Sequence, residues 1–527
     1  MLPLLAVLAL STVVENQKPG TAAWEITNPA LAREIEGYAS KTSVNGGETI
    51  DLLVSTAAPR YSIDVFRMGW YGGAGARQVA GPVERDGMLQ TIPSPDPTTG
   101  LIECAWRDPY HLTTSDAEGA WPTGVYLARL TTIAAAATRG SGRSNPPGLQ
   151  TFIVFVVRDD GRDAPLVFQS SVTTFAAYNN WGGKSLYGFN SGNMPARKVS
   201  FDRPYASNPY GVRLDGASDF LRRWEYNAVR FLERAGYDLE YTTDVDTHDR
   251  AIPPRTRVFL SVGHDEYWSW QMREHVEAAR DRGVHLAFLG ANVCYWQIRF
   301  ESNQRGDADR TIVAYKEAAS DLDPLATDGR PQNNRQITGR WRERPTSRPE
   351  ERLVGVMYAA DPVDADIVVT DVDHWAFEGT GLRAGDRLVG LLGYEVDAIY
   401  GGGPPRLQRL AHSPFTDQGA NGRTRYADMT IYTAASGALV FATGSMQWNW
   451  GLDGYNAPQW HPTRTSAAAQ RITHTILDRM LATRAVPIAA SPGRAWLPSP
   501  VVALAMLIAA VVVLRAWLRR PAARSGR

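Results

Sequence analysis

Two short stretches carry the side chains best suited to chemistry. Residues 263–268 read GHDEYW and residues 290–296 read GANVCYW, and each ends in Tyr-Trp after an apolar run. Tyr267 and Tyr295 therefore stand at nearly the same point after two apolar segments. The first stretch also contains a histidine and a glutamate, which are side chains that exchange protons in active sites.

The elements around these stretches predict how the two tyrosines are positioned. The apolar runs 256–263 and 284–290 are predicted strands, with a helix within 269–282 between them. A crossover of this kind places its two strands parallel, and open α/β sheets bind ligands beyond the carboxyl ends of their strands. Both phenols are therefore expected to reach one crevice. From geometry alone, two aromatic side chains that pack over helix starts remain the alternative.

The region from 163 to 485 shows this alternation of strands and helices throughout. Further apolar runs that read as strands lie at 165–171, 365–371 and 437–444, and helical spacing is found at 220–237 and 465–483. Apolar strands that alternate with helices predict a sheet covered on both faces. The predicted fold class is α/β, with a three-layer, mostly parallel sheet.

The region 20–160 reads as β structure instead. Short strands follow one another with turns rich in Gly, Pro and Ser, one of them at 45–47. No long helical period interrupts them, and no catalytic cluster is present. This pattern predicts an all-β sandwich domain that precedes the α/β domain.

The two ends of the chain predict a membrane protein. Residues 1–19 contain a short apolar run before polar residues, as in a signal peptide. Residues 495–514 carry no charge over a length that suits a transmembrane helix, and the tail 515–527 is rich in Arg. Under the positive-inside tendency that tail is cytoplasmic. The expected location is the cell membrane, single-pass, with the main domains outside the cytoplasm.

Composition narrows the class of partner. Lys+Arg and Asp+Glu both number 55 in 527 residues, so the net charge is zero, which argues against nucleic acid. The length exceeds one ordinary core and predicts more than one domain. The two cysteines, Cys104 and Cys294, follow no metal-binding spacing, and whether they pair stays open. A homo-oligomer is also left open.

Four motifs together resemble one known family. The stretches AYNNWGGKSLYGFNS, VGHDEYWS, GANVCYW and HWAFEGTGL are similar to the N,N-dimethylformamidase large (beta) subunit-like family, over residues 163–485. The resemblance implies a class I glutamine-amidotransferase-like fold and an amide hydrolase that uses a mononuclear iron. In that family two tyrosines and a glutamate hold the metal. By motif these match Tyr267, Tyr295 and, in HWAFEGTG, Glu378.

The chemistry of this ligand set agrees with the resemblance. Phenolates and carboxylates are hard, anionic oxygen donors that suit Fe(III). Three such anions would neutralise a trivalent ion, and three protein ligands leave positions open for water and substrate. A bound Lewis acid polarises a carbonyl and activates water. No organic cofactor is expected.

Other polar residues near the strand ends are predicted to support the site. His264 and Glu266 are assigned acid–base or ligand-orienting roles, although capping or loop-tying roles are equally compatible with their positions. The residues assigned to substrate binding or to support of the ligands are Asn292, Tyr178, Asn180, Lys184 and Trp448.

The sequence thus predicts a membrane-anchored, externally facing, metal-dependent hydrolase that acts on an amide or related C–N bond of a small substrate. One alternative is a cysteine hydrolase with Cys294 as nucleophile. The other is a non-catalytic surface protein that binds a glycan or peptide in an aromatic crevice. The tryptophans that would form this crevice are Trp181, Trp268, Trp296, Trp375, Trp448 and Trp450.

Overall fold

The computed structural model describes residues 11–133, 147–206, 216–459 and 461–483. The described residues fall within one compact unit that spans 1–485. Their backbone forms six β-sheets, of which the largest has seven strands.

The first part of the chain is built from β-strands. They are β1 (Ile35–Ala39), β2 (Ser43–Asn45), β3 (Thr49–Thr56), β4 (Arg60–Met68), β5 (Ala76–Asp86), β6 (Tyr110–Thr113), β7 (Ser115–Asp116), β8 (Gly119–Ala120), β9 (Gly124–Thr132) and β10 (Gln150–Arg158). The order β1-β3-β6 forms one sheet, β2-β10-β9-β4-β5 a second, and β7-β8 a third. These strands pair antiparallel, except that β2 and β10 are parallel. The predicted turn at 45–47 separates β2 from β3, and Gly47 there has a φ of +90°.

The described part of the predicted signal peptide, residues 11–19, packs into this fold. Helix α1 (Thr12–Glu15) begins at Ser11, whose hydroxyl accepts from the amide of Val14. The Glu15 carboxylate is buried and lies 2.5 Å from the Arg77 guanidinium. Burial of a charge is tolerated where it is paired, so this segment contributes contacts to the folded chain.

The second part contains the remaining strands. They are β11 (Leu166–Ser170), β12 (Lys198–Ser200), β13 (Leu239–Thr243), β14 (Val258–Gly263), β15 (Tyr267–Ser269), β16 (His285–Gly290), β17 (Trp296–Glu301), β18 (Thr311–Val313), β19 (Met357–Val368), β20 (Arg387–Ala398), β21 (Gln408–Asp417), β22 (Arg423–Thr433) and β23 (Leu439–Ala442). The main sheet has the order β13-β11-β14-β16-β23-β22-β21. Its first five strands are parallel, and β22 and β21 extend it in antiparallel pairing.

Among the described residues of this part, six helices lie in connections between the strands, and the last two follow β23. In chain order they are α2 (Val172–Tyr178), α3 (Tyr226–Arg234), α4 (Asp244–Asp249), α5 (Trp270–Asp281), α6 (Ala319–Leu322), α7 (Glu351–Val354), α8 (Trp448–Leu452) and α9 (Ala467–Ala482). Local sequence explains the bounds of α5. The Ser269 hydroxyl accepts from the amide of Met272 at its start, and Gly283 follows its end with a φ of +100°.

The predicted fold class is wrong for the whole chain. The described residues form a mixed α/β structure with several small sheets, not a three-layer, amidotransferase-like parallel sheet after a separate β-sandwich. Strands β19 and β20 pair only with each other, where the sequence predicted a single short strand at 365–371. Along β20 most residues are buried, and the exposed ones are Arg387, Val389 and Tyr394. Searching for short apolar runs finds strands buried on both faces and misses strands of this kind.

One hydrophobic core also crosses the predicted boundary near residue 160. Phe66 and Phe152 from the first sheets pack in the same cluster as Phe168 and Tyr241 from the main sheet. A second cluster, which includes Ile63 and Tyr126, draws its buried residues only from 30–157, so the first part has a core of its own beside the shared one.

The predicted membrane location is corrected as well. Within the described ranges no helix is both long and apolar enough to cross a membrane. The longest of them, α9, has 16 residues, whereas a spanning helix needs about 20 predominantly apolar ones. The segment 495–514 and the tail 515–527, on which the prediction rested, lie outside the described residues.

Candidate active site

The two tyrosine-bearing stretches leave the main sheet at the same level. Strands β14 and β16 are parallel neighbours, and Gly263 pairs in register with Gly290. Both glycines are the last residues of their strands. The helix between the strands, α5, completes the predicted crossover. The prediction that the two stretches meet at the carboxyl edge of the sheet is confirmed by this register.

Backbone hydrogen bonds then join the two stretches side by side. The carbonyl of Glu266 accepts from the amides of Tyr295 and Trp296 at 2.9 and 3.0 Å. Beyond this point β15 pairs with β17 in parallel, and Tyr267 pairs with Trp296. The register therefore places Glu266 beside Tyr295, and it offsets the two tyrosines by one residue.

A large cavity opens over this junction, with a volume of about 1010 Å³. Side chains from five segments reach its inner end. These are Tyr178, Tyr187, Glu266, Asn292, Tyr295, Tyr358, Asp361 and Glu395. Several phenols and carboxylates thus surround one space, as a site for acid–base or metal chemistry requires.

The carboxylate of Glu266 is the centre of the hydrogen-bond network. The Tyr178 hydroxyl donates to it at 3.0 Å, and the Tyr187 hydroxyl lies 3.0 and 3.1 Å from its two oxygens. Burial and the nearby Glu395 raise the pKa of Glu266 to about 7, although His264 and Lys316 act in the opposite direction. A carboxyl group with a pKa near neutrality can both accept and release a proton.

His264 lies between two carboxylates. Its Nε2 is 3.3 Å from Glu266 and 3.4 Å from Glu395. Burial opposes a charge on the ring, yet the two carboxylates prevail and raise the pKa of His264 to about 9. The positively charged imidazolium therefore lies between the carboxylates of Glu266 and Glu395 and attracts both.

Three polar atoms of buried side chains around the inner end lack a hydrogen-bond partner among the described residues. They are Oε2 of Glu395, Oδ1 of Asn292 and Nε2 of His264, and the last of these has only the longer charge contacts to Glu266 and Glu395. The backbone amide of Asn292 donates to the Asp397 carboxylate at 2.8 Å, and the residue has a φ of +55°. An oxygen that is buried without a partner is costly unless a ligand satisfies it.

The structure places the two predicted tyrosine ligands differently. Tyr267 is fully buried, and its hydroxyl donates to the Tyr187 hydroxyl at 2.5 Å. Burial and the neighbouring Glu266 raise its pKa well above the usual range. Tyr295 lines the cavity, and burial raises its pKa to about 12 despite the guanidinium groups of Arg340 and Arg342.

Glu378 does not belong to this cavity. It follows the 3-10 turn Trp375–Phe377, its side chain is exposed, and its carbonyl accepts from Arg471. Glu395, on β20, lines the cavity together with Glu266. Its signal in the sequence is GYEVDA, in which Glu395 and Asp397 alternate with apolar residues of a strand.

The supporting residues divide into two groups. Tyr178, Asn292 and Lys184 line the cavity. Asn180 instead donates to the carbonyl of Asn190 and holds the adjoining loop. Trp448 is fully buried, and its indole donates to the Thr473 hydroxyl away from the cavity.

A family model decides the membership of the chain. The model described as N,N-dimethylformamidase beta subunit-like, C-terminal, matches residues 62–461, which is more than half of the chain. The chain belongs to this family. No curated protein matches it. Membership in the N,N-dimethylformamidase-like family indicates amide hydrolysis as the class of reaction, and the match starts at residue 62, well before the predicted start at 163.

The cavity of this N,N-dimethylformamidase-like chain has the donors that a hard metal ion needs. Tyr295, Glu266 and Glu395 present oxygens to it, and the phenol of Tyr267 lies behind Tyr187. The unpartnered Oε2 of Glu395 is the strongest sign of fit, because a buried carboxylate oxygen calls for a cation or a donor.

A second group of potential metal ligands lies elsewhere. Single donor atoms of His248, Asp249 and Asp309 lie within 4.8 Å of one another. Asp249 and Asp309 line a second cavity of about 900 Å³, which Arg250 and Arg310 also line. This group contains none of the residues of the family motifs.

The residues of the two alternative functions are largely buried. Cys294 is fully buried, and burial raises the pKa of its thiol well above the usual range, which disfavours a thiolate nucleophile. Of the six tryptophans proposed for an aromatic crevice, all but Trp375 are buried. Trp296 alone among the six lines the large cavity. These six tryptophans therefore do not form an exposed stacking surface.

Proposed function

We propose that the chain is a metal-dependent hydrolase of amide or related C–N bonds, and that Tyr267, Tyr295 and Glu395 hold the metal. The metal proposed from the family resemblance is iron. The observation that carries the proposal is the buried, unpartnered Oε2 of Glu395 in the cavity that Tyr295 and Glu266 also line. When bound, the ion would supply a Lewis acid for the amide carbonyl and the attacking water.

Glu266 is proposed to move the protons of the reaction. Its carboxylate takes a proton from water as the water oxygen attacks the amide carbon. The same proton passes to the nitrogen when the C–N bond breaks, so that the products are a carboxylic acid and an amine. The Tyr178 and Tyr187 hydroxyls, at 3.0 Å each, fix the carboxylate in place.

His264 is proposed to position both carboxylates rather than to contact the substrate. It lies 3.3 Å from Glu266 and 3.4 Å from Glu395, so one cation orients the proton carrier and the metal ligand together. Asn292 offers its free Oδ1 to the same inner end. An amide N–H of the substrate is a suitable donor for that oxygen.

The test separates proton transfer from metal binding. Purified protein loaded with Fe(III) is given a panel of short amides, and release of amine is measured. Glu266→Gln is expected to lower kcat at least about a hundredfold, within the range for loss of a general base, while it keeps the bound metal. Glu317→Gln, at the exposed rim of the cavity, is the control. Full activity of Glu266→Gln would overturn the assigned role.

A further inference from the structure

Three cations line the outer half of the large cavity. They are Lys184, Arg197 and Lys316. Among the residues that the structure describes, no carboxylate lies within 4.0 Å of any of the three. A cation in a partly enclosed space without an anionic partner is a ready binding group for an anion.

The backbone brings the three cations together. The amide of Ala196 donates to the carbonyl of Ser185 at 2.7 Å, and the amide of Ala314 donates to the carbonyl of Arg197 at 2.9 Å. The segments that carry the three cations are thus hydrogen-bonded to one another. The fold therefore brings the three backbone positions to one side of the cavity, which all three side chains line.

Lys316 is the cation nearest to the reacting groups. Its Nζ lies 3.5 Å from the centre of the Tyr187 ring and 4.8 Å from that of Trp296. Its backbone has a φ of +58°, a strained conformation that its amide maintains by donating to the carbonyl of Thr338 at 2.9 Å. Because the Tyr187 hydroxyl contacts Glu266, one aromatic ring separates the ammonium from the proposed proton carrier.

The acidic residues at the rim are already engaged. Asp96 accepts from the amides of Thr98 and Thr99 in its own turn. Glu317 lies 3.2 Å from Arg340. Lys184 and Lys316 donate to backbone carbonyls, those of Met194 at 2.7 Å and Leu186 at 3.4 Å, and these neutral acceptors leave the positive charges without an anionic partner.

We infer that Lys184, Arg197 and Lys316 form a subsite for a carboxylate of the substrate, which makes short N-acyl amino acids the substrate class. This inference deepens the proposed function and rests on it. The cavity volume of about 1010 Å³ agrees, because pockets of about 300–1,000 Å³ hold ligands far larger than dimethylformamide. The single ring between Lys316 and Glu266 favours a short spacer between the amide and the carboxylate.

The first experiment compares three acetamides that differ in one terminal group. N-acetylglycine carries a carboxylate, N-acetylethanolamine a hydroxyl and N-acetylethylenediamine an ammonium. We expect kcat/KM to fall by at least about tenfold from the first to the second, and further to the third, since a charged hydrogen bond supplies that ratio. Equal hydrolysis of all three would overturn the subsite and leave the hydrolase intact.

The second experiment measures binding without catalysis. Levulinate replaces the amide NH of N-acetylglycine by CH2 and cannot be hydrolysed, and calorimetry gives its Kd. Binding of levulinate without hydrolysis of any amide would support the subsite and contradict the proposed function. Tighter binding of inorganic phosphate than of levulinate would overturn the assignment to a carboxylate.

Variants of the cations test whether these side chains cause the preference for a substrate carboxylate. Lys316→Met and Arg197→Met are each expected to weaken levulinate binding about tenfold and to reduce the ratio of kcat/KM between N-acetylglycine and N-acetylethanolamine. Lys198→Met is the matched control, because Lys198 pairs with Glu301 and does not line the cavity. An unchanged ratio in both cavity variants, with folding verified by circular dichroism, would overturn the inference.

Discussion

Gly263 and Gly290 form a register pair at the ends of two parallel strands, and both tyrosine-bearing stretches start from this pair. A side chain at either position has no room. A Cβ on Gly290 would lie 2.3 Å from the carbonyl oxygen of Gly263, and one on Gly263 would lie 2.5 Å from Cβ of Trp224. The close approach of the two strand ends is therefore what holds Glu266 beside Tyr295.

The first prediction follows from this contact. Gly290→Ala is expected to lower the free energy of unfolding by about 1–3 kcal/mol, because the strand ends must separate to admit the methyl group. Urea denaturation measures the change. Gly161→Ala is the control, since its nearest neighbour would be 3.7 Å away. Equal stability of the two variants would show that the strand ends adjust without cost.

A buried ion pair joins the first sheets to the second part of the chain. Arg67 on β4 and Glu233 on α3 lie 2.9 Å apart with no exposure of either side chain. Glu233→Gln is expected to cost about 3–5 kcal/mol of unfolding free energy, because the guanidinium stays buried without its partner. Glu84→Gln, in the exposed pair with Arg60, should change stability by less than about 1 kcal/mol. A similar loss in both would contradict the prediction.

Titration of the buried Glu225 carboxyl group should make the unfolding free energy depend on pH. Burial raises its pKa from 4.5 to about 8, against the hydrogen bonds from Ser170 and Ser171. The folded chain then binds a proton that the unfolded chain has released. This contribution to stability is full below pH 4.5 and is lost as the pH rises through about 8.

Glu225→Gln removes this titration. The unfolding free energy of the variant, relative to that of the wild type, is expected to rise with pH by up to about 1.4 kcal/mol per unit in that window. Denaturation at pH 5, 6.5 and 8 measures the difference. A difference that is constant with pH would refute the assigned protonation.

The thiols should play no part in catalysis. Cys104 and Cys294 are both free and buried. In the folded protein neither is expected to react with iodoacetamide within an hour, whereas both should react in denaturant. Cys294→Ala should keep amide hydrolysis within about threefold of the wild type. Loss of activity with intact metal content would restore the cysteine hydrolase.

The sequence predicts the parts of the site that local pattern determines. The strand–helix–strand unit that carries Tyr267 and Tyr295 could be predicted because apolar runs, a cap at Ser269 and a glycine at 283 define its elements. Glu395 could not be chosen in the same way, because it reaches the cavity on β20, a mostly buried strand whose apolar residues are interrupted by glycines and carboxylates. The motif HWAFEGTG indicated Glu378 instead, which is exposed and is not among the residues that line the cavity.

Of the three cations in the outer half of the cavity, only Lys184 was predicted from the sequence. Lys316 and Arg197 come from separate segments, and only the pairing of those segments by backbone hydrogen bonds brings their charges to one space. No spacing along the chain records such a pairing. The antiparallel extension of the main sheet was not predicted for a related reason, since a short apolar run does not indicate whether its strand pairs parallel or antiparallel.

The metal content of two glutamate variants tests the central claim most directly. Wild type, Glu395→Gln and Glu378→Gln are loaded with Fe(III) under the same conditions, and iron per chain and the visible phenolate band are measured. The account predicts that Glu395→Gln loses most of the iron, while Glu378→Gln binds as much as the wild type and keeps the band. Full iron in Glu395→Gln together with loss in Glu378→Gln would contradict it.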